Sequence, residues 1–170
     1  MQVMFGAAAL SAFKSSKLLL NLQARLPQVE AFSAQFAHFL DCTEELTIHD
    51  LEVIHALLLY GASFTSSTES ENTVLSLSRV VVPRPGTISP WSSKASDILH
   101  NCGLAKVERV ERGTIFTVQL SRPLETAEIA ILDDMLHDRM TQAILSDVSK
   151  ASCLFRHAEP QAMASVDILG

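Results

Sequence analysis

The run from Arg84 to Asp97, RPGTISPWSSKASD, carries the densest set of chemically useful side chains in the sequence. It follows an apolar, β-branched stretch and leads into a helical pattern, and the free backbone N–H groups at a helix start favour anions. Gly86 permits close backbone approach. Thr87, Ser89, Ser92 and Ser93 add hydroxyls, and Arg84 and Lys94 add positive charge. This combination points to an anion or phosphate site, or to a rigid docking loop. The structural alternative is a well-capped helix that buries Trp91. The Walker pattern GxxxxGK[ST] is absent, so the loop is not a nucleotide P-loop of that kind.

Other chemistry is thinner. His100-Asn101-Cys102 contains the residue types of a thiol protease, but consecutive helical residues do not face one another. Cys102 is expected to be a small buried thiol. Asp133 and His137, and Asp134 and Asp138, lie four apart on a helical pattern; two ligands do not make a metal site, and solvated charge pairs are the plainer expectation. No metal site is expected. His38 sits in the apolar register of a strand and reads as a core residue, while His49 and His55 fall on a short surface helix. The motifs GxSxG, HExxH and GxGxxG are absent.

These residues need a folded frame. The chain has 170 residues, 48% of them hydrophobic and 19% charged, with a mean hydropathy of +0.23. That suits one compact domain and argues against disorder. The net charge of −6 argues against a nucleic-acid polymer as partner. Cys42, Cys102 and Cys153 are far apart and odd in number, which argues against both a zinc site and a disulfide scaffold. No stretch approaches the roughly 20 apolar residues of a membrane span, and no basic segment precedes the apolar start. The expectation is a cytoplasmic protein without membrane association.

The pattern predicts a strand at Val3 to Phe5, then a helix from Ser11 to Leu26, stopped by Pro27. Val29 to Leu40 alternates as a strand, long enough to bend or split. Thr47 to Asp50 resembles a capping box, with Leu51, Ile54 and Leu58 on one helical face and Gly61 as the cap at its end. Ser63 to Thr73 is a polar connector. Val74 to Val82 is a strand ended by Pro83 and Pro85. Ser89-Pro90 starts a helix with Trp91, Ala95, Ile98 and Cys102 on its apolar face. Lys106 to Leu120 is a strand interrupted at Arg112-Gly113 by a turn or bulge. Thr126 opens the longest helix, carrying Ile129, Leu132, Leu136 and Met140 on one side, and beyond Asp147 the pattern weakens.

The fold class is therefore α/β (α+β), with a strand-helix-strand-helix unit repeated across a connector, in halves of about 1–62 and 73–150. The alternative is a single layered sheet without duplication.

The string RPGTISPWSSKASDILHNCGL (Arg84 to Leu104), with VERVERG (Val107 to Gly113), closely resembles the N-terminal region of the large single-chain phosphoribosylformylglycinamidine synthases. ALSAFK (Ala9 to Lys14), LHDRMT (Leu136 to Thr141) and SVDILG (Ser165 to Gly170) follow the same family in the same order. The resemblance implies a step of purine biosynthesis, in which formylglycinamide ribonucleotide becomes the amidine with ATP, magnesium and glutamine. It implies synthetase and glutaminase domains as partners, and ammonia passing between them. It also implies that residues 1–150 look like two fused copies of the small separate subunit of the multi-chain enzyme, with 151–170 opening a linker region. His137, Asp138 and Arg139, inside the LHDRMT signpost, become candidate contacts. The chain stops where that linker would begin and holds no glutaminase-like cysteine, so no catalytic residue and no cofactor is expected within it. A free-standing small-molecule-binding or regulatory α/β domain is the alternative function.

Overall fold

The computed structural model describes residues 1–61, 63–64 and 75–156. The connector from 65 to 73, and the SVDILG string at Ser165 to Gly170, lie outside the described residues. The elements run β1 (Gln2–Ala8), α1 (Ala12–Arg25), β2 (Val29–Cys42), α2 (Ile48–Leu58), β3 (Leu75–Pro83), α3 (Pro90–Asn101), β4 (Val107–Leu120), α4 (Thr126–Leu136) and β5 (Gln142–Leu145), then a 3₁₀ segment at Val148–Phe155. Strand and helix alternate, and the five strands form one open antiparallel sheet in the order β1-β2-β4-β3-β5.

Local signals set the helix starts. The Ser11 hydroxyl accepts the Lys14 N–H, and the Ser89 hydroxyl accepts the Ser92 N–H. Thr47 and Asp50 exchange backbone-to-side-chain bonds as a capping box, and the Glu125 N–H donates to Glu128 at the head of α4. Ser11 and Ser89 are 78 positions apart (89 less 11), and so are Thr47 and Glu125. The same interval separates two buried turns, in which Val29 N–H donates to Leu26 O and Val107 N–H to Leu104 O. β2 and β4 have 14 residues each, and α2 and α4 have 11 each.

Both helix pairs cover one sheet face. Leu22 and Leu26 by α1, with Leu132 and Leu136 by α4, pack on Ala34, Phe116 and Val118. Ile54 and Leu58 of α2, with Leu99 of α3, pack on Leu40 and Val110. On the opposite face Ala37, Phe39, Val80 and Val82 are covered by Ala151 and Leu154 of the 3₁₀ segment.

Several expectations are corrected. β2 is unbroken, and so is β4: Gly113 lies in register opposite Ala37, neither a turn nor a bulge. A Cβ there would meet the Val81 carbonyl oxygen at 2.8 Å, so the glycine serves the close approach of β3. Pro83 is the last residue of β3, paired with Gln142, not a residue beyond it. Gly61 (φ +91°) follows the α2 cap residue Leu59 by two positions. α3 buries Ser92, Ser96 and Leu99, and leaves Ile98 and Cys102 exposed. The small serines let the helix lie close on β4, where Ser96 Oγ accepts the Val110 N–H at 3.1 Å. α4 is shorter than α1 and stops at Leu136, and Met140 is 79% exposed. The Asp138 carboxylate takes the Met140 N–H and the Thr141 hydroxyl, a local turn that competes with further helix.

Candidate functional site

The Arg84 loop is braced at every step. The Arg84 N–H donates to Thr141 O, and both the N–H and hydroxyl of Thr87 return to Arg84 O. Gly86 makes the intervening turn at φ +82°. The brace is Glu111, fully buried in β4. Its carboxylate accepts the Ser89 N–H at 3.2 Å and the Ser89 hydroxyl at 2.7 Å. Arg109 pairs with the same carboxylate and also donates to Thr87 O at 2.8 Å. The loop is thus clamped to β4 through a buried ion pair.

An open cleft of about 710 Å³ adjoins the loop. Of the eight residues singled out there by sequence, Arg84, Thr87, Ser89 and Trp91 line it. Ser92 and Ser93 instead border a second cavity of about 350 Å³ beside Arg109. Lys94 borders a third, beside Tyr60. Gly86 lines none of the three. Ser92 is fully buried, and its hydroxyl has no hydrogen-bond partner among the described residues.

The residues of the LHDRMT signpost act on local structure. His137 Nδ1 bonds the Asp133 carbonyl at the end of α4, Asp138 builds the turn described above, and Arg139 pairs with Asp134. Met140 and Thr141 from that turn, with Gln142 of β5, reach the cleft. Asp133 is taken by Arg79 at 2.9 Å. His100 Nε2 bonds the Val107 carbonyl, so its ring is engaged away from any thiol chemistry.

Sequence reasoning missed the floor of the cleft. Arg112 lies on β4 in register with Val110 and Phe116, facing the helices. Its guanidinium lies 4.6 Å from the Phe36 ring centroid and 4.8 Å from that of Trp91. It donates to the Tyr60 hydroxyl at 2.8 Å, which leaves that hydroxyl free to serve His38 Nε2 at 3.3 Å. His38 is buried, and its Nδ1 has no partner among the described residues. Burial first, and the Arg112 charge second, lower the His38 pKa to about 4. The available signal was a charged residue in the apolar register of a strand.

Among the described residues no group of three or more His, Cys, Asp or Glu could hold a metal ion. No described helix is long and apolar enough to cross a membrane. The fold and the braced loop define a two-layer α/β domain whose helices share one face of an antiparallel sheet. The family of formylglycinamide ribonucleotide amidotransferase N-terminal domains matches residues 35–155, from within β2 to the end of the 3₁₀ segment. The chain belongs to that family.

Proposed function

We propose that this chain works as the N-terminal assembly module of a phosphoribosylformylglycinamidine synthase, bridging synthetase and glutaminase domains and supporting ammonia transfer between them. The observation that carries the reading is the family match over residues 35–155. The activity would be the ATP- and glutamine-dependent conversion of formylglycinamide ribonucleotide to the amidine, in the cytoplasm. ATP and magnesium would be held by the synthetase part. Among the described residues no cluster of carboxylates offers such a site.

Residues 1–150 would be a duplicated small-subunit-like unit, with halves of about 1–62 and 73–150, and 151–170 would open a linker. The palindromic strand order β1-β2-β4-β3 and the matched element lengths support this. The Arg84 to Lys94 loop would meet a neighbouring domain or an anionic group held by it, and His137 to Arg139 would support that edge.

The intact mass of the native polypeptide, detected through a peptide of this segment, tests the setting. A mass several times 18.6 kDa assigns the module to a single large chain. A mass near 18.6 kDa makes it a separate subunit of a multi-chain enzyme. In the complete enzyme, Arg84→Ala and Lys94→Ala should raise KM for the nucleotide substrate or lower glutamine coupling. Unchanged kinetics in both would remove the loop from the mechanism.

A further inference from the structure

Among the described residues Arg112 is a half-buried cation without a counter-ion. The five ion pairs of the described residues engage Arg79, Lys106, Arg109, Arg122 and Arg139, and none engages Arg112. The rings of Phe36 and Trp91 attract the guanidinium but neutralise nothing. A partly desolvated charge left this way is costly unless an anion joins it. One N–H is given to Tyr60, and a guanidinium carries five. The remaining donors are held in orientation by the rings, a preorganised fork for an oxyanion.

The rest of the cleft fits that need. Among the described residues its lining includes a second arginine, Arg84, and the hydroxyl of Thr114, and no carboxylate. The chain as a whole carries net charge −6, so a cleft whose described lining holds two cations and no acid runs against its composition. At the rim stand two exposed apolar side chains, Ile88 at 59% and Met140 at 79%. The volume exceeds what a bare ion would fill and lies in the range of small-molecule sites.

We propose that this cleft binds a small phosphate monoester, with the phosphate on Arg112 and Arg84 and the organic group against Ile88 and Met140. A dianion is matched by two arginines, where a carboxylate would leave one unpaired. The inference shares with the assembly reading only the position of Arg84. It concerns binding by this chain alone, so it can fail while the enzyme-level reading stands, and the reverse.

The test is an NMR titration of the 170-residue chain, following the indole N–H of Trp91 (the single tryptophan) and the Arg112 side chain. The probes are inorganic phosphate, n-butyl phosphate and acetate, at constant ionic strength. Saturable shifts are expected with both phosphates, about tenfold tighter for the butyl ester, since its chain buries apolar surface. Arg112→Gln should abolish saturation, Arg84→Gln should weaken both phosphates about fivefold, and Met140→Gln should remove only the butyl advantage. Should Arg112→Gln not fold, Arg112→Lys keeps the charge but loses the fork, and about tenfold weaker binding is expected. No saturation below about 10 mM, equal binding of acetate, or unchanged binding in the Arg112 and Arg84 variants would each overturn the proposal.

Discussion

His38 and Arg112 stand directly opposite one another in the β2–β4 ladder, a buried imidazole facing a guanidinium. The imidazole is held neutral, its pKa lowered from 6.5 to about 4. Between those values the unfolded chain binds a proton that the folded chain refuses. Stability therefore rises with pH through this window, is complete above 6.5, and is lost as pH falls towards 4. The contribution is on the order of 3 kcal/mol. Arg112→Gln removes one of the causes, so His38 should titrate higher and the acid sensitivity should shrink. A ring-proton titration of His38 decides it, and an ordinary value near 6.5 in the unaltered chain would refute the argument.

Gly113 and Gly86 should respond to alanine for different reasons. At Gly113 the new Cβ would stand 2.8 Å from the Val81 carbonyl oxygen and 3.0 Å from the Phe39 ring, and backbone cannot swing aside. The cost should be about 3 kcal/mol, with β3 displaced from β4. At Gly86 no heavy atom lies within 4 Å, and only the left-handed backbone (φ +82°) resists, at about 1 kcal/mol. Urea denaturation of the two variants separates the cases, and equal losses would contradict them.

Removing the Glu111 carboxylate should unfasten the Arg84 loop from the sheet. Glu111→Ala leaves Arg109 and the Ser89 donors without their acceptor, at about 3–5 kcal/mol. Amide exchange at Ser89 and Ser92 should quicken far more than exchange in α1. Uniform quickening throughout the chain would show that the carboxylate supports the whole fold instead of the loop.

Ser96→Ala should cost about 1–3 kcal/mol despite removing a single oxygen, because the buried Val110 N–H loses its acceptor. Ser93→Ala, one turn away and exposed, serves as the control and should be near neutral. Thermal unfolding of both variants checks the contrast.

What was readable in the sequence was local. Ser11, Thr47 and Ser89-Pro90 announce helix starts because each cap is satisfied within three or four residues. The strand-helix alternation followed from periodicity. The misreadings were tertiary. Gly113 looks like a strand break until β3 is seen against it, and the serines of α3 count as polar although they form its buried face. β5 has four residues, too few for a period to show. Within the site, the Arg84 loop was legible as a dense cluster, but Arg112 was not. Its partners Phe36, Tyr60 and Trp91 come from three separate segments, a strand, the chain just past the end of α2 and the head of α3, which only the packing of helices on the sheet brings together.

The β2–β4 ladder carries a kinetic consequence. It forms the middle of the sheet, yet its partners are remote, from Cys42 with Val107 (65 positions) to Val29 with Leu120 (91 positions). A long loop must close before any of these bonds can form, and that entropy is spent ahead of the contacts that offset it. Folding should therefore be slow for a chain this rich in helix starts, set by the meeting of the two long strands and not by the helices. Each half, lacking the other's long strand, has no finished interior of its own, so the two should gain and lose their structure together.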